Sequence, residues 1–335
     1  MTSSIHLTNK QILWRFWQQL NDADINQSKI LFDEQYAADT EWNGPHPFNQ
    51  FLSVDQLYAG YWAPLKLAVP DIRRNVDLLC AGRSNNKDWV TSIGYMTGTF
   101  VTDWLGIPIR GKSATIRYGE FCTLQEGRIT ESYILLDLLD VLNQIGYRAL
   151  PPNHSGEEGN VPGPSTKDGV LFVEADAAES QKSVDLVEAM LNGLVKYDQI
   201  SLNSMEQHKY WHPKKMMWYG PSGIGTMRGL QGFEDYHQRP FLEAFPNRKG
   251  GNHKARFGDG NYVATTGWPS IFATHEGSYL GVPATGKQIT MRVMDWWRRE
   301  DDKLVENWVL IDLIDLFLQL GINLLDGLPG KISAD

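Results

Sequence analysis

The stretch GRITESYILLDLLDVLNQIG (127–146) returns later in the chain as DKLVENWVLIDLIDLFLQLG (302–321), and this repetition decides the fold. The alignment of the two stretches continues without a gap back to LGIPIRGK (105–112) and LGVPATGK (280–287). Long self-similarity at a fixed offset is the mark of an internal repeat. The chain is therefore a tandem duplication of one structural unit.

The alignment extends upstream if a gap of one residue is placed in the second copy. Gly44-Pro45 then corresponds to Gly220-Pro221. Between the copies, residues 148–169 are rich in Pro, Gly, Ser and Asn and show no apolar periodicity, which is typical of a linker. The sequence thus predicts one domain at 1–147 and a second at 170–335, joined by this linker.

Each copy begins with helical patterns and ends with strand patterns. In the first copy, apolar residues recur at helical spacing over 10–20, after Thr8 as a candidate N-cap. Further helices are predicted at 25–37 and 54–67, and strands at 72–80, 88–101, 114–124, 129–136, 252–258, 261–275, 288–298 and 304–311. Helices followed by a run of antiparallel strands indicate an α+β fold. Three helices against one strongly curved sheet would form a cone-shaped barrel around a cavity.

The second copy carries the pattern H-x-G-x-[FYL]-x-G-x-P-x-T-G-[KR], followed by E-x-W-x-x-x-D and Q-L-G. The residues that carry it are His275, Gly277, Gly281, Pro283, Thr285, Gly286, Lys287, Glu306, Trp308, Asp312, Gln319 and Gly321. Together with a W-x-G-P turn at Trp218, they make this copy similar to the SnoaL-like polyketide cyclase family. The first copy looks like a degenerate relative, with Phe100 in place of the histidine.

The resemblance implies a nuclear-transport-factor-like α+β barrel with an apolar pocket. In the characterised cyclases of that family, an acidic residue acts as general acid/base in an intramolecular aldol closure, without metal or cofactor. The resemblance therefore implies cyclase, lyase, isomerase or hydrolase chemistry on a small molecule, with no cofactor.

Composition excludes several other classes of protein. The chain has 335 residues, of which 40 are acidic and 31 basic, for a net charge of −9. An acidic chain without basic runs repels phosphate backbones, so nucleic-acid binding is not expected. Two cysteines without metal-ligand spacing argue against a zinc site. No membrane span and no signal peptide are visible, so the sequence predicts a cytoplasmic protein.

Asp312 is the first candidate catalytic residue. Alternation along the strand 304–312 places it on one face with Glu306, Trp308 and Leu310, and desolvation there would raise its pKa towards the range of a carbon-acid base. Asp312 also directly precedes a helical pattern, so it can equally be an N-cap. The resemblance favours the pocket acid, and the two roles are compatible.

His275 is the second candidate, because an imidazole can polarise a carbonyl or transfer a proton near neutral pH. The alternative is a histidine that fixes the turn before Gly277 by a hydrogen bond. Three other histidines, His212, His237 and His253, have no metal spacing and are expected at the surface or as caps.

Aromatic and acidic residues complete the predicted substrate site. Trp218, Trp297 and Trp308 can line a pocket and stack on a planar substrate, although ordinary core packing explains them as well. Asp295 and Glu306 are the candidate polar contacts. Asp295 can instead pair with a neighbouring arginine.

A second pocket in the first copy would use Asp137, Trp42 and Tyr133, which correspond to Asp312, Trp218 and Trp308. Asp137 carries the same ambiguity between pocket acid and helix cap. The sequence does not decide whether this pocket is active.

Three classes of function follow from the sequence: a small-molecule enzyme, a non-catalytic binding protein for an apolar ligand, and a dimerisation or adaptor module. Both faces of the last strands are apolar, so we expect the two copies to pack sheet against sheet as an intrachain pseudo-dimer. Val305, Val309 and Ile311 are assigned to that outer face. Homo-oligomerisation stays open.

Overall fold

The computed structural model describes residues 4–153, 155, 159–326 and 328, and the expectations for 1–3, 154, 156–158, 327 and 329–335 lie outside those residues. Within the described chain, each copy of the repeat forms helices packed on one mainly antiparallel sheet. The predicted α+β class is confirmed. No helix in this part of the chain is long and apolar enough to cross a membrane.

The described residues of the first copy form the helices α1 (Ile5–Asp22), α2 (Ile25–Gln35), α3 (Val54–Leu57), α4 (Ala63–Ala68) and α5 (Leu138–Gln144). A π-helical turn, Tyr58–Trp62, joins α3 to α4. The side chain of Ser4 accepts a hydrogen bond from the Leu7 amide and caps α1. The helix thus begins one turn before the predicted cap at Thr8.

The strands of the first copy are β1 (Tyr36–Asn43), β2 (Gln50–Phe51), β3 (Arg73–Ser84), β4 (Lys87–Thr99), β5 (Ser113–Gln125) and β6 (Arg128–Leu136). They form one sheet in the order β2-β1-β6-β5-β4-β3. The sequence did not predict β1, which pairs in parallel with β6. Since β2 and β3 remain at opposite edges, the sheet is open and the predicted barrel does not close.

The second copy repeats this plan with α6 (Ala177–Leu194), β7 (Met217–Tyr219), β8 (Thr226–Arg228), α7 (Gly229–Phe233), α8 (Arg239–Ala244), β9 (Lys249–Gly250), β10 (His253–Asp259), β11 (Tyr262–Thr274), β12 (Gln288–Glu300), β13 (Lys303–Ile311) and α9 (Leu313–Leu320). Its sheet order is β10-β11-β12-β13-β7-β8, with β9 paired to β11. A π-helical turn, Glu234–Gln238, again precedes the last short helix of the layer.

The two sheets pack face to face, which confirms the intrachain pseudo-dimer. Phe121 of β5 lies against Trp296 of β12, with ring centroids 5.3 Å apart, and against Phe257 of β10 at 6.2 Å. The Trp296 indole donates a hydrogen bond across the interface to Thr91 Oγ1 at 3.0 Å. The centre of the interface is thus an apolar layer.

The faces of β13 are the reverse of the prediction. Trp308 and Leu310 belong to the interface layer between the sheets, whereas Val309 and Ile311 point into the second copy. Alternation decides which residues share a face, but it does not decide which face turns inward. Both faces of this strand are buried and apolar, so hydrophobicity could not make that choice.

The described part of the linker runs along the seam between the two sheets. The Trp308 indole donates to the carbonyl of Pro162 at 2.8 Å, and Leu79 donates from its amide to the carbonyl of Gly169 at 2.8 Å. Tyr95 accepts a hydrogen bond from the Val161 amide at 2.6 Å. The linker therefore contributes to the packing of the two copies.

We expect Gly119→Ala to destabilise the protein through the interface alone. A Cβ on Gly119 would overlap the Trp296 ring and lie 3.0 Å from Leu310 Cδ1. Overpacking of this kind costs about 1–3 kcal/mol, measurable as a lower midpoint of urea unfolding.

Gly232→Ala is the matched control, because a Cβ on that helical glycine meets no atom within 4 Å. It should be neutral or stabilise by up to about 1 kcal/mol. Equal unfolding midpoints for the two variants would contradict the interface described here.

Candidate functional site

A cavity of about 190 Å³ lies inside the second copy, between its helical layer and the inner face of β12 and β13. Its wall is largely apolar and aromatic, with contributions from Met190, Trp211, Trp218, Phe233, Phe241, Met291, Trp297 and Val309. The polar side chains in the wall are His237, Gln238, Arg248, Asp295 and Asn307. A concave apolar pocket with a few converging polar groups is the usual form of a small-molecule site.

Asp295 is the one acidic side chain that lines this cavity among the described residues. Its carboxylate receives a hydrogen bond from Asn307 Nδ2 at 3.4 Å, and no described lysine or arginine forms an ion pair with it. Burial raises the pKa of Asp295 from 3.8 to about 7, against the lowering effects of the Asn307 contact and the more distant Arg256. The carboxyl can therefore hold or release a proton near neutral pH.

His237 and Gln238 enter the cavity from the π-helical turn. The His237 ring stacks on Trp218 with centroids 4.2 Å apart, and burial lowers the pKa of His237 to about 3. The imidazole is therefore neutral at physiological pH. A π-turn adds one residue to a helix and is frequent at functional sites, because it changes which side chains face inward.

Asp312 lies outside the cavity, at the junction of the two copies. Its carboxylate accepts a hydrogen bond from the backbone amide of His46 at 2.9 Å and pairs with Arg292 at 3.1 Å. It also caps α9 by accepting from the Asp315 amide. Burial raises the pKa of Asp312 to about 6. Its position favours the cap over the pocket acid.

Asp137 occupies the equivalent place in the first copy. Its carboxylate accepts from the Ser222 amide at 2.8 Å and caps α5 through the Asp140 amide. Arg117 donates to the carbonyl of Gly220 at 2.8 Å, just as Arg292 donates to the carbonyl of Gly44 at 3.3 Å. Each Gly-Pro turn is thus held by an arginine and an aspartate of the other copy. We call these two sets of contacts the crossed clamps.

His275 also lies outside the cavity and is fully buried in the hairpin that follows β11. Its Nδ1 is 3.1 Å from Thr285 Oγ1, and its ring packs against Phe245 with centroids 5.5 Å apart. The backbone amide of Gly286 donates to the His275 carbonyl at 2.9 Å. This placement matches the turn-fixing alternative.

The remaining predicted residues of the second copy divide between two places. Trp218, Trp297 and Asp295 line the cavity, whereas Trp308 and Glu306 face the first copy and the linker. Glu306 forms a buried ion pair with Arg298 and accepts from the Ser165 amide at 3.1 Å. Trp308 and Glu306 therefore do not reach the cavity, because the face of β13 that carries them is the outer one.

The three residues predicted for a second pocket do not come together. Trp42 is buried inside the first copy against Phe51 and Tyr61, whereas Tyr133 lies in the interface layer and donates to Glu131 Oε1 at 2.6 Å. Asp137 lies in a crossed clamp, as described above. These positions do not build one site.

The interior of the first copy is filled by Arg74. Its guanidinium forms an ion pair with Glu120, which corresponds to Asp295 in the alignment of the two copies. The guanidinium carbon lies 4.3 Å from the ring centroid of Trp17 and 4.0 Å from that of Tyr118. In the first copy, Arg74 thus occupies the space next to the Glu120 carboxylate. The equivalent space next to Asp295 in the second copy is the cavity.

Sequence reasoning missed His237 and Gln238 as cavity residues, and it expected His237 at the surface or as a cap. A signal was available, because the upstream alignment of the two copies pairs these two residues with Tyr61 and Trp62. Replacement of two aromatic residues by polar ones on an otherwise apolar helix face indicates a change of environment. Only the π-turn, which no pattern predicted, shows that this face turns inward.

We expect Asp312→Ala to lower the free energy of unfolding by about 1–2 kcal/mol, since it removes a helix cap and a clamp contact. Asp312→Asn keeps an acceptor oxygen and should cost less near neutral pH. Because the folded-state pKa of Asp312 is raised from 3.8 to about 6, its contribution is greatest at low pH and falls as the pH rises through about 6.

Urea unfolding of the wild-type protein and Asp312→Asn between pH 4 and 7 measures this dependence. The wild-type advantage over the variant should shrink as the pH rises. A difference that grows with pH would show that the ionised carboxylate stabilises the clamp, contrary to this expectation.

We further expect Arg74→Ala to destabilise the first copy by about 3–5 kcal/mol, because Glu120 loses its buried partner. Methylguanidinium should restore part of the lost thermal stability by occupying the vacated space, and methylammonium should restore less. The neighbouring Arg73→Ala is the control, since Arg73 is exposed and pairs with Asp22 at 3.1 Å. Equal rescue by both cations would argue against a guanidinium-shaped space.

The match to a known protein family agrees with the two-copy architecture. The chain matches the model of the SnoaL-like polyketide cyclase family over residues 11–145 and 197–320, one segment in each copy. No functionally curated protein matches the chain.

Solved structures match about two fifths of the chain, the length of a single copy. A SnoaL-like polyketide cyclase from Agrobacterium tumefaciens is 16% identical over 44% of this chain and 100% of its own, with a TM-score of 0.34. An NTF2-like protein from Burkholderia xenovorans is 14% identical over 42% of this chain and 97% of its own, also with a TM-score of 0.34. Because the family model covers most of the chain in two separate segments, this protein belongs to the SnoaL-like polyketide cyclase family.

Proposed function

We propose that the second copy catalyses proton transfer at a carbon acid, of the kind used in ring closure or isomerisation, with Asp295 as the general acid/base. The observation that carries this proposal is a carboxyl group with a pKa of about 7 that faces an apolar cavity and has no cationic partner within ion-pair distance among the described residues. Family membership supports the same class of chemistry.

The proposed reaction begins when the Asp295 carboxylate takes a proton from the carbon next to a substrate carbonyl. The electron pair of that C–H bond moves into the carbonyl and forms an enolate. In ring closure, the enolate carbon attacks a second carbonyl of the same molecule, and Asp295 returns the proton to the new alkoxide. In isomerisation, the proton returns to a different carbon. Both outcomes leave the carboxyl as it began.

The apolar wall supports this chemistry in two ways. It keeps the carboxylate poorly hydrated, which makes it a stronger base than an exposed aspartate. It also offers the rings of Trp218, Phe233 and Phe241 to a planar substrate. The neutral His237 adds no positive charge that would lower the pKa of Asp295.

We assign no catalytic role to Asp312 or His275 in this proposal, because neither lines the cavity. The first copy has a structural part in it, since Arg74 occupies its interior and neutralises Glu120. The chain would then carry one active site, which lies in the second of its two related copies.

The proposal predicts that Asp295→Asn lowers the rate of proton exchange at a carbon acid by about 10²–10⁴-fold, as is usual for loss of a general base. 2-Tetralone in D₂O is a suitable probe, with loss of its C1 proton signals followed by NMR. The wild-type rate should rise with pH through about 7, because the ionised carboxylate is the active form.

Asp312→Asn is the matched control, since it removes a buried carboxylate outside the cavity. It should retain most of the exchange activity, with circular dichroism confirming that both variants fold. An equal loss in Asp312→Asn would return the catalytic role to that residue. Tight binding of the probe without exchange in the wild-type protein would instead indicate a non-catalytic binding protein.

A further inference from the structure

Three buried polar atoms around the cavity of the second copy have no hydrogen-bond partner among the described residues. They are Trp297 Nε1, Gln238 Oε1 and His237 Nδ1, and all three residues line the cavity. Leaving a buried polar group unpaired costs about 1–3 kcal/mol, so such atoms in a native fold need a physical reason. A ligand that pairs with them is the simplest reason in a pocket of this shape.

The corresponding positions of the first copy carry different side chains around a filled interior. There Cys122 stands at the place of Trp297, and Tyr61 and Trp62 stand at the places of His237 and Gln238. The carboxylate at the place of Asp295 is paired with Arg74. The first copy also has unpaired buried groups, among them Trp62 Nε1 at the place of Gln238, so what distinguishes the second copy is that its unpaired groups line an open cavity.

The unpaired atoms differ in what they can bind. An indole N–H only donates, so Trp297 requires an acceptor such as a carbonyl oxygen. Gln238 Oε1 only accepts, so it requires a donor such as a hydroxyl group. These two atoms belong to different elements of the wall, one to β12 and one to the π-turn. A ligand that satisfies both must carry an acceptor at one end and a donor at the other.

The charges of the wall indicate a neutral ligand. Arg248 is the one cationic side chain that the described residues contribute to the wall, and its guanidinium is already bound to the carbonyl of Leu194 at 3.1 Å. Its charge and that of an ionised Asp295 cancel. An anion would meet the Asp295 carboxylate, and a cation would meet Arg248, each in a poorly hydrated space.

The size of the cavity sets the number of rings. Its volume of about 190 Å³ is close to that of an engineered cavity of ~150 Å³ that holds benzene, and below the ~300 Å³ of sites for drug-sized ligands. One or two rings fit this space without rearrangement of the wall. Three or four fused rings do not.

From these observations, and on the basis of the function proposed above, we infer that the cavity binds a compact neutral molecule of one or two rings, whose carbonyl oxygen accepts from Trp297 Nε1 and whose hydroxyl group donates to Gln238 Oε1. Asp295 and Trp297 alternate on the same face of β12, so their Cα atoms lie about 6.6 Å apart. A carbonyl held by Trp297 thus places its neighbouring carbon within reach of the Asp295 carboxylate. The indole N–H would then stabilise the enolate oxygen.

A pair of probes tests this inference on the full-length wild-type protein. 6-Hydroxy-2-tetralone carries both groups, and 2-tetralone lacks the hydroxyl. Isothermal titration calorimetry should show the hydroxylated probe binding about 10-fold more tightly, which is the upper range for one added hydrogen bond. Equal affinities, or equally tight binding of the three-ring ketone anthrone, would overturn the inference.

Variants of the cavity residues show which side chains cause the preference for the hydroxylated probe. Gln238→Met, which keeps the length of the side chain but removes the acceptor, should abolish the preference for the hydroxylated probe. Trp297→Phe should weaken the binding of both probes about 5- to 10-fold. Gln231→Met, on the exposed side of α7, is the control and should change neither affinity. If a cavity variant fails to fold, the comparison of the two probes on the wild-type protein still decides.

The ligand inference and the proposed function fail in different ways. A hydroxyl preference without proton exchange would retain the ligand class and reject the catalytic role of Asp295. Exchange without a preference would retain the catalytic role and reject the ligand class. Asp295→Asn should still bind the hydroxylated probe within about threefold of the wild-type protein, because neither predicted hydrogen bond involves that carboxyl group.

Discussion

The crossed clamps are the interaction on which the rest of the structure depends. In each clamp, a Gly-Pro turn of one copy offers a carbonyl and an amide to an arginine and an aspartate of the other. The same aspartate caps the last helix of its own copy. One carboxylate therefore fixes a helix end, a turn and the relation between the two halves. Its burial is tolerated because its oxygens accept from backbone amides and from charged or polar partners.

This arrangement explains why so many residues that the two copies share lie away from the cavity. The Gly-Pro turns, the arginines at 117 and 292 and the aspartates at 137 and 312 occur in both copies, and in both they form contacts between the copies. The cavity-lining positions are free to differ. One copy has closed its interior around an arginine, and the other has kept polar groups facing an open space.

Much of the fold was predictable from the sequence, and much of the site was not. The repeat and its apolar periodicity predicted the α+β class, the major strands and the sheet-to-sheet packing. The sequence did not predict strand β1, because its pairing with β6 is irregular and its polar residues lie near the edge of the sheet. Trp218, Trp297 and Asp295, which the sequence suggested as substrate contacts, all line the cavity, and their role there stays a prediction. Asp312, Glu306 and Trp308 were placed in the cavity because alternation fixes a shared face and leaves its direction open.

His237 and Gln238 depend on a π-turn, which is a property of backbone hydrogen bonding that side-chain periodicity does not record.

The π-turn also has a consequence for how this chain can change over time. It exists in both copies, at Tyr58–Trp62 and Glu234–Gln238, so the extra residue was present before the halves diverged. Each residue of an α-helix advances the chain by about 100° around the axis. Loss of that one residue would rotate the rest of the helix by a quarter turn or more and exchange the whole set of inward side chains at once. Point substitutions can change the cavity one contact at a time. A single deletion in the π-turn would instead change all the side chains that this helix presents to the cavity.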